Sequence, residues 1–114
     1  MSTSADTIIY LSDQLTSLGS RIRTRKMFGE YAMYCDERVV ALICDDQLFV
    51  KITDPGKLFV GSKYEEGFPY PGAKPAILVG GDIIENKEAF AQLIDITAKA
   101  VPMPKPKKPK VKKV

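Results

Sequence analysis

The chain has 114 residues with a net charge of +3, and 45% of them are hydrophobic and 27% charged. That length suits one hydrophobic core rather than two, and the composition is that of a globular domain, not of a disordered or membrane-inserted one. There is no histidine and there are two cysteines, which excludes a Ser-His-Asp or Cys-His relay and leaves a one-chain zinc site short of ligands. Taking the six lysines of residues 102–114 out of the 17 basic residues leaves 11 against 14 acidic ones, so the body carries −3. The body is mildly acidic and the last segment strongly basic, which is not the pattern of a generally basic nucleic-acid-binding domain.

The opening MSTSADTIIYLSDQL has no basic n-region and carries Asp6 and Asp13, so it does not read as a secretory signal. The longest apolar run, Val39 to Cys44, is too short to span a bilayer. A cytoplasmic location and no membrane partner are expected.

In chain order, Ile8, Leu11, Leu15 and Leu18 recur at helical spacing before Gly19, predicting an amphipathic helix over 6–18. Short β-type runs follow at about 24–28, 31–35, 38–44 and 47–52, divided at Gly29, Asp36-Glu37 and Asp45-Asp46, which reads as an antiparallel meander. Asp54-Pro55-Gly56 is expected to end it as a turn, with a short helical segment from Lys57 to Val60. Residues 61–75, centred on PYPGAKP, read as a loop, and Ala76 to Val79 as a further strand. A helical turn is expected at Asp82, with Glu85 placed as in a capping box. From a cap at Asn86, the residues Phe90, Leu93, Ile94, Thr97 and Ala98 share one face of a last helix that ends near Val101-Pro102. The predicted fold class is α+β: two layers, an antiparallel β-meander sheet packed with an N-terminal and a C-terminal helix. Residues 1–101 form the domain; 102–114, with four prolines and six lysines, are a basic tail that cannot offset its own ordering entropy.

Two-residue turns at the acidic doublets set a trial register in which Tyr31 opposes Leu42, Met33 opposes Val40 and Leu42 opposes Phe49. One sheet face then carries Val39, Ala41, Ile43, Leu48, Val50 and Ile52, and is assigned to the core beneath the helices. The other carries Tyr31, Met33, Val40, Leu42 and Phe49, with Lys51, Gln47 and Arg38 at its margin. Of these, Tyr31, Met33, Leu42, Phe49 and Lys51 are the candidate interaction face, either packed under loop 61–75 or open to a partner or a second copy. The doublets themselves suit solvated turns better than metal ligands. Under this register Cys35 and Cys44 lie too far apart for a disulfide; both read as inert thiols, with Cys35, near Arg38, the better candidate for a reactive one.

The phrase KMFGEY, residues 26–31, poses a choice between an active site and a joint in the sheet. Its glycine separates two β-type runs and no histidine completes a relay, so the joint is favoured. The alternative is a small-ligand or catalytic pocket built from Lys26, Glu30, Tyr31 and Lys74, which requires burial to move the lysine or tyrosine pKa toward neutrality.

The ordered set RKMFGEYAMYCDERVVALICDDQLFVKIT (25–53) and PYPGAKP (69–75), followed by a strand and a closing helix, resembles the N-terminal domain of the TfoX/Sxy family of bacterial competence regulators over about residues 6–101. The resemblance implies a two-layer α+β domain in a bacterial, cytoplasmic protein near the control of DNA-uptake genes, whose founding members act alongside a cyclic-AMP-responsive activator. It carries over no catalytic residue and no cofactor. Members of the regulator type have a second, helical domain, which has no counterpart in these residues. The expected function is therefore a noncatalytic regulatory or protein-interaction module, with a protein partner or a homodimer at the sheet face. Lys105, Lys107, Lys108, Lys110, Lys112 and Lys113 of the tail would add weak, nonspecific, salt-dependent attraction to nucleic acid or another acidic surface.

Overall fold

The computed structural model describes residues 3–27 and 30–101. Ser4 begins the first helix by accepting a hydrogen bond from the Asp6 amide, and α1 spans Ala5–Gln14. The expected helix to residue 18 is shorter as an α-helix: a 3-10 stretch, Thr16–Arg21, replaces its end and breaks at Gly19, whose φ is 54°. Leu11 and Leu15 still reach the core.

The meander follows as β1 (Ile22–Met27), β2 (Glu30–Cys35), β3 (Arg38–Cys44) and β4 (Gln47–Val50). Asp36, Glu37, Asp45 and Asp46 sit at φ of 55°, 67°, 53° and 62°, so both doublets form two-residue turns of the primed kind that match strand twist. Asp54-Pro55-Gly56, expected as a turn, instead opens α2 (Asp54–Val60): Thr53 accepts from the Gly56 amide, and proline loses nothing in a first turn whose amides have no partner there. The loop region contains a two-residue strand, β5 (Glu66–Gly67), too short for periodicity to reveal; β6 (Ala76–Val79) stands where expected. α3 (Gly81–Ile84) is the anticipated helical turn, but Gly80 precedes it and Asp82 accepts from the Ile83 amide rather than forming a box with Glu85. α4 (Lys87–Ala100) is capped by Asn86, which accepts from the Ala89 amide.

The six strands form one antiparallel sheet in the order β1-β2-β3-β4-β6-β5. The trial register holds between β3 and β4, where Leu42 faces Phe49, and fails between β2 and β3. A bulge adjoins Met33 and Tyr34, so Met33 pairs with Ala41 and Tyr31 with Ile43. One extra residue on one strand moves every later pair by a position and exchanges the faces. Met33 is consequently buried in the helix-side core with Cys35, Val40, Ala41, Ile43, Leu48 and Val50, and Tyr31 packs against that core. Ala41, Ile43, Leu48 and Val50 lie beneath the helices as expected; Val40, expected on the other face, is the extra residue and joins them, while Val39, expected among them, pairs with Tyr34 and is only half-buried.

α4 supplies most of the cover. Phe90, Leu93, Ile94, Thr97 and Ala98 are all fully buried, and the Thr97 hydroxyl donates to the Leu93 carbonyl at 2.8 Å, so its burial leaves no polar group unpaired. Arg21 fastens the start of β1 to this helix. Its guanidinium donates twice to the Asp36 carboxylate, at 2.9 and 2.8 Å, and once to Asp95 at 2.6 Å, while Lys99 approaches Asp95 from the next turn at 3.0 Å. Hydrogen bonding from Arg21 holds both carboxylates below their usual range. Because their folded pKa values lie below the unfolded ones, the stabilisation is present above about pH 4 and is lost as pH falls through the folded values. Asp95→Asn is expected to cost about 1 kcal/mol at neutral pH. It should also flatten the acid limb, measured as urea midpoints between about pH 7 and 3.

Candidate interaction site

On the side of the sheet away from the helices, cross-strand neighbours form a row: Ala32 on β2, Leu42 on β3, Phe49 on β4 and Leu78 on β6. Phe49, Cys44 and Ala76 make a second, smaller core there, with Leu42 and Leu78 half-buried against it. No helix contributes to that cluster. The Phe49 ring lies across β6 onto β5: a Cβ added at Gly67 would stand 2.9 Å from Phe49 Cε2, so only glycine leaves room for the ring.

The segment between β5 and β6 forms an arm over this face. Phe68 and Tyr70 are 61% and 55% exposed, a large apolar surface for a short loop. Beneath the arm run three adjoining clefts that share Pro69 and Tyr70. The first, about 480 Å³, is walled by Met27, Glu30, Tyr31, Leu42, Cys44 and the arm. The second, about 580 Å³, runs over Leu42 and Phe49 to Lys51, Ile52 and Lys74. The third, about 560 Å³, reaches Asp45, Gln47 and Phe68. Together they form an open, mostly apolar groove with lysines at one end and acids at the other.

Of the five residues expected on one interaction face, Leu42, Phe49 and Lys51 line this groove. Tyr31 borders it at the first cleft although it packs toward the helices. Met33 does not belong: the bulge turns it inward, and it is fully buried. Phe68 is the groove residue that the sequence did not single out; PYPGAKP showed a stiff turn in which only Tyr70 and Lys74 offered chemistry, while the exposure of Phe68 and Tyr70 depends on β5 pinning the loop across the sheet.

The four residues of the alternative pocket do not share one cavity. Glu30 and Tyr31 border the first cleft, Lys74 the second, and Lys26 neither. The Glu30 carboxylate is occupied by structure: Oε1 accepts from the Thr3 hydroxyl at 2.6 Å and from the Asp45 amide at 3.1 Å, fixing the β3–β4 turn. Asp46 ties the same turn to the N-terminus, accepting from the Ser4 amide and the Thr7 hydroxyl, which hold its carboxyl below the usual range. In KMFGEY, Phe28 and Gly29 lie outside the described residues, and Met27 opposite Glu30 is the last pair before them. The six tail lysines also lie outside them.

Both thiols are free and buried. Burial pushes each of them up, and for Cys35 the nearby Asp36 adds to this while Arg21 only partly opposes it, the reverse of what a reactive thiolate needs. Among the described residues, no group of three or more His, Cys, Asp or Glu could hold a metal ion, and no helix is long and apolar enough to cross a membrane.

The family model of the TfoX N-terminal domain matches residues 13–101. A protein of Spirochaeta aurantia, described as an uncharacterized 12.7 kDa protein in the trpE 5′ region, is 44% identical over 114 residues, covering 98% of this chain and 95% of that protein.

Proposed function

Because the chain belongs to the TfoX N-terminal domain family, we propose that it is a noncatalytic interaction module of the competence-regulator kind, and that the groove beneath the 68–75 arm is where it takes a polypeptide partner. The observation that supports this most is the pairing of a half-buried apolar sheet face with exposed Phe68 and Tyr70 above it. Aromatic anchors over an apolar floor, with charges at the two ends, are the makings of a protein-binding surface. Glu30 is engaged in a turn and Lys26 and Lys74 stand apart from it, so these described residues are not gathered for proton transfer. The tail lysines add nonspecific attraction to an acidic surface, nucleic acid included, that weakens steeply with salt.

Replacing Tyr70 with a photoreactive benzoylphenylalanine tests the reading in living cells. The expected result is a discrete adduct that disappears when Leu42→Asp is added. The same probe at Leu58, 83% exposed on α2 in the helix layer, should not produce it. Equal labelling from positions 70 and 58, or no adduct of any kind at 70, would overturn the assignment.

A further inference from the structure

The strand order puts β5, two residues long, at one edge of the sheet and β1, six residues long, at the other, and among the described residues no strand pairs with the outer side of β1. The Asp36 amide donates to the Arg21 carbonyl at 3.0 Å, and this bond sets the phase of the β1–β2 ladder. Opposed residues of an antiparallel pair alternate between exchanging both hydrogen bonds and exchanging none. Arg23, Arg25 and Met27 therefore turn their backbone groups toward β2, whereas Ile22, Thr24 and Lys26 turn theirs outward. The same strand carries three exposed cations, Arg23, Arg25 and Lys26, and no acid, in a body whose net charge is −3.

We infer that this edge takes an extended acidic segment of a partner protein as an added strand. It is a second contact surface and does not depend on the groove beneath the arm. The outward N–H and C=O groups of Ile22, Thr24 and Lys26 supply the main-chain hydrogen bonds of strand addition, and the side chains decide which strand can use them. Arg23 and Arg25 lie on the side away from the helices, opposite Tyr34 and Ala32, so carboxylates at alternate positions of the added strand meet both guanidiniums. Arg23 is already oriented: it donates to Glu37 at 2.8 Å and lies 4.7 Å over the Tyr34 ring, which reduces the side-chain freedom lost on binding. On the helix side Ile22 packs against the core, and an apolar residue beside it would extend that layer. A second copy of β1 does not fit. Two-fold antiparallel registers centred on residues 23, 24, 25 and 26 set Arg23 against Arg23, Arg23 against Arg25, Arg25 against Arg25 and Lys26 against Lys26. Like charges directly opposed destabilise a strand pair. The cations that guard this edge against its own kind thus favour an acidic strand in its place.

The test titrates the ¹⁵N-labelled full chain with a capped peptide of alternating valine and glutamate, about eight residues long so that it exceeds an ordinary strand. Amide exchange and chemical shifts are followed by NMR. The outward amides of Ile22, Thr24 and Lys26 are expected to become protected, while exchange at Arg23 and Arg25, bonded to β2 throughout, changes little. Arg25→Glu, at an exposed position, should weaken binding about tenfold and admit the same peptide with lysine in place of glutamate. No protection of the outward amides, or equal protection by the lysine and glutamate peptides on the wild type, would overturn the inference. Protection that grows with protein concentration alone would overturn it and assign the edge to a second copy. Shifts confined to Leu42, Phe49 and Tyr70 would overturn it and place the peptide in the groove. A short DNA duplex that shifts Arg23 and Arg25, where the peptide leaves the outward amides unprotected, would replace strand addition with phosphate binding.

Discussion

Phe90→Ala is expected to remove about 3–5 kcal/mol of stability, a large part of the ~5–15 kcal/mol typical of a domain. Phe90 is the largest of the fully buried side chains and stands on the face of α4 that joins the helix layer to the sheet. Its loss removes apolar contact area and leaves a cavity that a helix held at both ends cannot close. Urea unfolding against Leu58→Ala, at a position 83% exposed, separates the two cases: the surface change should stay within about 0.5 kcal/mol. A cost below about 1 kcal/mol at position 90 would mean that the helix layer is not packed as described.

Gly67→Val is expected to have the second-largest effect and to act on both stability and the groove. The new Cβ would begin 2.9 Å from the Phe49 ring, which is 5% exposed and has little space to withdraw. Overpacking of this kind costs about 1–3 kcal/mol. Because the ring is part of the groove floor, its displacement should also abolish the adduct formed from position 70. Combining Gly67→Val with Phe49→Leu supplies the control: a shorter side chain restores part of the stability, giving a coupling between two touching sites that independent effects would not show. Additive losses would place the ring elsewhere.

The acidic doublets made much of the sheet legible. Two polar residues between β-type runs admit few turns, and Asp36-Glu37 and Asp45-Asp46 occupy the left-handed conformations that such turns require. α4 was equally clear, because its apolar residues keep helical spacing from an asparagine cap to Val101. The bulge beside Met33 was not legible: a side chain such as Met33 or Val40 suits either face, and only the packing of the finished sheet decides between them. That one insertion accounts for Met33 being placed on the wrong face. Packing of loop 61–75 against the aromatic face was among the expected arrangements; the exposure of Phe68 and Tyr70 on it was not legible. PYPGAKP and the residues before it announce a turn, but which of their side chains stay exposed depends on β5, two residues whose pairing with Ile77 and Ala76 leaves no periodic signal.

These differences matter to the proposed function because they move the proposed binding surface. With Met33 turned inward and Phe68 and Tyr70 above, the aromatic sheet face is a groove with Lys51 and Lys74 at one end and Glu30 and Asp45 at the other. A groove selects an extended segment, whereas a flat face would suit a second sheet.

The most direct test compares transcript profiles of cells that lack the protein with cells producing the wild type, a Leu42→Asp/Tyr70→Ala variant, or Leu58→Asp, each shown to be folded and equally abundant. The account predicts that the groove variant reproduces the profile of the deletion while Leu58→Asp retains that of the wild type. A groove variant that retains the wild-type profile, in a strain where the deletion changes it, would contradict the claim that this protein works through the groove.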